Sequence, residues 1–485
     1  MALALLFGFY VLALGLAGVL LWIPYAEWVH LGRVHVKLAI GCVVSALIIL
    51  KASLFVRAPK FEPPGPEVTE SDQPRLFAII QRIAEKMGTS MPRHVYLIPD
   101  VNAFVAEVGG FMGTATTRVM GIGVGLLSVD NVSQLEATVA HEFGHYAGGD
   151  TRLGGIVYRT RAAIGRVLDS LREHESNLLS KPFEIYGNLY MRVTSSLSRQ
   201  QELAADRAGA EIAGKEAQIT GLSREIRGGV LFDQFLSSEV GPLVARGFRP
   251  QNLYDGFRDY ARALEDQGRV REIDAALATA ATDRWDTHPA LADRIAFASA
   301  LDVKPVPQNE EPARDVLADP GEVERRMTAE ISARWAEGRP LQETTWAAVA
   351  AKVYAPMMRD RGHTLTERLT GDAASSTEVA LTSLLAALAE SRDEVIASQI
   401  ASRHLSEVPH AERLQAVASV LTSTLGTLLG EALVARGGVW QSELGRPLEV
   451  ALNGAVLSPF SLAEAAVADR QRLDDIRRHL GSAVP

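Results

Sequence analysis

The sequence predicts a mostly helical α+β protein behind an N-terminal transmembrane hairpin, with a further α-helical region toward the C-terminus. Three observations carry this: two long apolar runs within the first 60 residues, β-type segments confined to 94–127, and helical periodicity over most of the rest. Composition sets the outer limits. Of 485 residues, 47% are hydrophobic and 22% charged, ample for a sizeable core. The net charge of -9 at pH 7 has the wrong sign for a chain whose main partner is nucleic acid, and no basic tract with interleaved aromatics offsets it. The single cysteine, Cys42, sits in an apolar run. That excludes an intramolecular disulfide, a Cys-based zinc ribbon, an iron–sulfur site and a C-x-x-C redox motif.

Met1 to Ala26 carries no charge, and at 1.5 Å per residue a helix of that length exceeds the roughly 30 Å hydrocarbon core of a bilayer. It lacks the basic start and short apolar stretch of a cleaved signal peptide, so a retained transmembrane helix is expected. Trp22, Tyr25 and Trp28 close the run where amphipathic rings favour the headgroup layer. Leu38 to Val56 carries only Lys51, which near a helix end can snorkel to the interface. This run reads as a second span, the plainer alternative being an interfacial or core helix. Arg33 and Lys37 in the short loop are outnumbered by Lys51, Arg57 and Lys60 at the far end, which tips the large domain toward the cytoplasm.

The proline-rich Phe61 to Pro66 reads as a stiff spacer. Ser71 or Asp72 is expected to open a helix whose Leu76, Phe77, Ile79, Ile80, Ile83, Ala84 and Met87 form an apolar stripe. His94 to Ile98, Asn102 to Val108 and Arg118 to Leu127 read as strands, the last two separated by a turn-rich Gly-Gly-Phe-Met-Gly that lacks the Gly-Lys-Ser/Thr of a phosphate loop. Helices are expected over Ser133 to Ala147, Ala162 to Glu175 and Ser195 to Ile212, the second too rich in arginine to span a membrane. Val303 to Arg314, with its prolines and acidic residues, has the composition of a linker. The expected division is therefore a membrane anchor at 1–60, a principal domain at 61–302, a linker at 303–316 and a helical region at 317–485. Gln415 to Ala435 is long and apolar, but its serines and threonines favour a soluble core helix.

The chemistry concentrates in His141-Glu-Phe-Gly-His145. Residues i and i+4 project from one helical face, so the two imidazoles can grip one zinc ion while Glu142 works on a water at the metal. A catalytic zinc needs a third protein ligand and an open fourth position. The position six residues after His145 is Thr151, which rules out a third histidine of the metzincin type. Downstream, Glu202 and Asp206 stand at i and i+4 on one helical face. Glu202 can ligate zinc while Asp206 hydrogen-bonds a ligand histidine; taken alone, such a pair reads better as a solvated helical surface.

Together, His141-Glu142-x-x-His145 and the later Glu202-x-x-x-Asp206 resemble the M48 family of zinc metallopeptidases, which includes the membrane proteases of the Ste24 and HtpX types. Thr287-His288-Pro289 followed by Arg294 is a third family-like element, and the resemblance implies that His288 and Arg294 help bind the reaction oxyanion. The resemblance covers roughly Ser71 to Ala300 and implies a zincin-type core with one Zn2+, held by His141, His145 and Glu202, and Asp206 behind them. HtpX-type proteins carry a second pair of membrane helices before the third ligand; here Arg159, Arg161, Arg166, Asp169, Arg172 and Glu173 fill that interval. Prenyl-protein substrates of the Ste24 type are not expected from a chain with at most two spans.

The expected function is a membrane-anchored zinc endopeptidase acting on protein or peptide substrates, in membrane-protein quality control or processing, at a bacterial inner membrane with its catalytic domain in the cytoplasm. Partners are the lipid bilayer and the substrate, not nucleic acid. Val119 to Val124 is expected to be either an interior strand or a free edge for an extended substrate. The rival reading is a catalytically silent zincin-fold protein that binds or assembles at the membrane surface.

Overall fold

The computed structural model describes residues 2–54, 61–108, 117–147, 160, 163–171, 177–279, 289–336, 338–409 and 412–482. The two apolar runs form α1 (Ala2–Leu31) and α2 (Val36–Leu54). Both are long and apolar enough to cross a membrane, with mean hydropathy 2.4 over Ala4–Leu31 and 2.0 over Val36–Ser53. They pack through Phe9, Ala13, Ala17, Cys42, Ala46 and Ile49, while Trp22, Trp28, Ile40 and Leu47 face outward. At the turn, His35 Nδ1 lies 2.8 Å from Glu27 Oε1.

A mixed four-stranded sheet follows, built from β1 (Glu67–Val68), β2 (His94–Ile98), β3 (Ala103–Val108) and β4 (Thr117–Gly123) in the order β1-β2-β4-β3. β2 and β4 run parallel, and β3 lies antiparallel on β4 with Phe104 opposite Gly121. β4 is thus interior, and of the two alternatives for Val119 to Val124 the free edge is excluded; the edge strand on that side is β3. The β4 glycines serve neighbouring chain: a Cβ on Gly121 would meet the Phe104 ring at 2.3 Å, and one on Gly123 the Asp100 carbonyl at 2.0 Å. The strand expected to continue to Leu127 ends at Gly123, and the apolar run turns into α4 (Val124–Val129), with Val124, Leu126 and Leu127 buried. Such a run, buried on every side, satisfies a helix as well as a strand.

α3 (Pro74–Lys86) begins at a proline in its first turn, beyond Ser71 and Asp72, and buries Leu76, Ile80, Ile83 and Ala84. α5 (Val132–Ala147) is opened by Asn131, whose Oδ1 accepts from the Gln134 N–H while the Gln134 side chain accepts from the Asn131 N–H, both at 2.9 Å. This reciprocal pair satisfies two of the donors that a helix start leaves open. α6 (Asn177–Ala213) runs 37 residues, twice the expected length, because its first half is held by the hairpin side: Phe183 and Tyr190 lie in the same apolar cluster as α1, α2 and 163–171. α7 (Lys215–Phe235) and α8 (Leu291–Ala300) complete the helices around the sheet. The glycine cluster at 109–113, the stop at Gly148 and Gly149, and parts of the 162–175 helix lie outside the described residues.

The segment expected as a linker is instead an ordered strap. Glu311 O accepts from Val132 N, Asn309 O from Ser133 N, and Ala313 N donates to Asp130 O, so the strap closes the start of α5. Gln308 Nε2 reaches Ala213 O at the end of α6, 3.0 Å away. One compact unit comprises residues 1–230 and 271–320; a second comprises 231–270 and 321–485. The second unit is mainly helical around Arg413–Val434, which is also long and apolar enough to cross a membrane but whose Leu421, Leu425, Leu428, Leu429 and Leu433 are buried in the core of the unit. It also holds short strands where helices alone were expected, among them Val439–Gln441, Glu449–Leu452 and Ala455–Leu457 in one antiparallel sheet.

Candidate metal centre

The site forms where α5 crosses α6. Small residues set the approach: a Cβ on Gly144 would lie 2.8 Å from Ala205 Cα and 3.1 Å from Ala208 Cβ. Phe143, on the opposite side of α5 from the ligand face, is fully buried and fixes the rotation of the helix. His141 and His145 consequently face Glu202. Their Nε2 atoms are 3.3 Å apart, His141 Nε2 is 3.7 Å from Glu202 Oε2, and His145 Nε2 is 3.7 Å from Glu202 Oε1. A zinc bonded at 2.0–2.1 Å to tetrahedral donors would hold them about 3.3 Å apart. Two imidazole nitrogens and a carboxylate at this spacing fit that ion, and no other group of three or more such donors stands together among the described residues.

Asp206, one turn beyond Glu202 and fully buried, accepts from His141 Nδ1 at 3.1 Å. That hydrogen bond puts the imidazole proton on Nδ1 and leaves the Nε2 lone pair toward the metal position. Arg294 from α8 holds the same carboxylate with Nε at 2.9 Å and Nη2 at 2.6 Å, and Gln218 from α7 donates to it at 3.0 Å. Burial resists ionisation of Asp206, but Arg294 and His141 more than offset it and hold its carboxyl below the usual range. Arg294 Nη2 also lies 3.6 Å from Glu202 Oε2. The guanidinium thus holds Asp206 and approaches Glu202, a placement that differs from the expected oxyanion donor.

Glu142 Oε2 accepts from the Val105 N–H of edge strand β3 at 3.2 Å. Burial pushes its carboxyl up to about 7; His141 opposes that shift, and the nearby Glu225 carboxylate adds to it. These groups share a cavity of about 130 Å³. His288 lies outside the described residues, so of the seven expected site residues the structure brings together His141, Glu142, His145, Glu202, Asp206 and Arg294. Three participants escaped the sequence reading. Gln218 and Glu225 stand seven residues apart on α7, a shared helical face being their only signal. The Val105 N–H carries none, since any residue would supply it.

Residues 70–302 match the family model described as peptidase family M48. A protein of Tolumonas auensis named protease HtpX is 32% identical over 184 residues, covering 32% of this chain and 62% of that one. Proteins of the same name from Idiomarina loihiensis and Yersinia pestis are each 28% identical, over 165 and 193 residues, covering 31% and 35% of this chain and 56% and 62% of their own length. The chain thus spans about three fifths of the length of these relatives. No solved structure matches it.

Proposed function

Because residues 70–302 belong to peptidase family M48, we propose that the chain is a membrane-anchored zinc endopeptidase that cleaves protein or peptide substrates. The observation that carries this reading is the convergence of His141, His145 and Glu202, with donor atoms all within 4.8 Å of one another, beside the half-buried carboxyl of Glu142. Zinc held by these three would supply Lewis acidity toward a water and the scissile carbonyl. Glu142, next to His141 in the chain and aimed into the same cavity, takes the water proton and passes it to the leaving amine. Asp206 and Arg294 are positioning residues: they fix the tautomer and angle of His141 and the place of Glu202. His288 retains the role of oxyanion donor that the family resemblance implies.

The edge of β3, the outer strand of its sheet among the described residues, with its Val105 N–H donating to Glu142, supports binding of substrate as an added strand, with main-chain hydrogen bonds holding the scissile bond over the carboxyl. We place the anchor in a bacterial inner membrane, with the catalytic domain, within 61–302, on the cytoplasmic side. The test is purification of the full chain in detergent, zinc analysis and digestion of an unfolded protein. We expect about one zinc per chain and cleavage that Glu142→Gln abolishes while zinc is retained. Zinc binding with no cleavage by the parent would favour the silent binding protein.

A further inference from the structure

The cavity at the metal centre contains one carboxylate that this chemistry leaves unassigned. Glu202 is a metal donor, Glu142 serves the water, and Asp206 is occupied by Arg294, Gln218 and His141. The fourth, Glu225, lines the same cavity from α7. No hydrogen bond or ion pair joins it to another described residue. Arg224, its neighbour in sequence, donates instead to the Val129 carbonyl at 3.0 Å and lies 3.4 Å from Gln134 Oε1. On its own helix Glu225 is flanked by apolar side chains, Leu222 one turn before it and Ile226 after it, both lining the cavity, while His141 and Arg294 line the cavity as well and favour its charged form.

We propose that this face of α7 is a side-chain subsite of the peptidase, in which Glu225 selects a lysine or arginine next to the scissile bond. The inference rests on the peptidase reading above. The aliphatic stem of a basic side chain can lie along Leu222 and Ile226 while its cation meets the carboxylate. A neutral side chain of equal length buries Glu225 without giving it an ion-pair partner, and an acidic one meets the Glu225 carboxylate directly, so both are disfavoured.

The experiment uses the zinc-loaded full chain in detergent and matched peptides that carry lysine or its uncharged analogue norleucine on either side of the cleaved bond. The lysine peptide should be preferred by about 10- to 100-fold in kcat/KM. Glu225→Gln should bring that ratio close to one, and Glu225→Asp, which keeps the charge on a shorter arm, should keep part of it. Equal kcat/KM for both peptides in the parent, or an undiminished ratio in Glu225→Gln, would overturn the subsite and leave the peptidase reading standing. Should the parent cut neither peptide, the peptidase reading falls, and anisotropy of the labelled peptides on Glu142→Gln then decides. Tighter binding of the lysine peptide, lost on adding Glu225→Gln, supports the subsite; equal or absent binding overturns it.

Discussion

Gly144 and Ala205 meet backbone to backbone, a Cβ on the glycine falling 2.8 Å from the alanine Cα. The contact lies within one turn of His141, His145 and Glu202, so it sets the distance between the two halves of the metal site. Alanine is ordinarily the better helix residue by about 1 kcal/mol. Gly144→Ala should nevertheless cost about 1–3 kcal/mol through overpacking and weaken zinc binding as α5 and α6 part. Chelator competition and thermal melting on one preparation check this; unchanged zinc affinity would show that the helices have slack.

Arg294→Lys tests positioning against oxyanion binding. A lysine cannot reproduce the two-point hold on Asp206, so zinc affinity should fall about 10- to 100-fold, as for other losses behind metal ligands. Asp206→Asn should do the same. A fall in kcat at full zinc occupancy would return Arg294 to the role of oxyanion donor.

Asp130 yields a pH dependence. It is 4% exposed, and neither carboxylate oxygen has a hydrogen-bond partner among the described residues. Burial, reinforced by Glu225 and only partly opposed by Arg224, raises its pKa well above the ordinary value. The native state therefore binds this proton more tightly than the unfolded chain. Its contribution is complete below the unfolded pKa of about 4 and is lost as pH rises toward and through the native pKa. Asp130→Asn removes that loss. Its melting temperature relative to the parent should climb between pH 5 and pH 8; parallel curves would mean that the carboxyl is solvated.

The hairpin predicts sidedness. Two spans return the chain to the side on which it began, and the basic flank follows the second. External protease added to spheroplasts should leave the large domain intact and degrade it only after lysis. Digestion without lysis would reverse the orientation.

The sequence reading succeeded where a spacing maps onto one face of one element. The i, i+4 pairs of α5 and α6 and the uncharged run of α1 are of this kind, since the helix repeat alone brings those residues together. It failed where the partner is distant or the run is uniformly apolar. Val124–Val129 could be strand or helix until its surroundings were known, and the strap's prolines concealed carbonyls aimed at Val132 and Ser133, some 180 residues upstream. One signal was readable and passed over: Asn453-Gly454, both at positive φ, joins two short strands in the two-residue turn such a pair favours. Glu225 was opaque for another reason, because a lone acid on a helix has meaning only beside the cavity it faces.

The strap also has a consequence in time. Translation delivers His141 and His145 early, but the backbone partners that close the start of α5 are residues 309–313, and the last turn of α6 receives its cap from Gln308. At about 5–20 residues per second, roughly 10 to 35 s separate the synthesis of Val132 from that of Glu311. Until then, the helix carrying both histidines has an unfinished end and Arg294 is not yet in place. The nascent chain therefore passes through a long interval with its two N-terminal apolar helices already made and the His141–His145–Glu202 group unsupported, which delays completion of the site until residues 309–313 have left the ribosome.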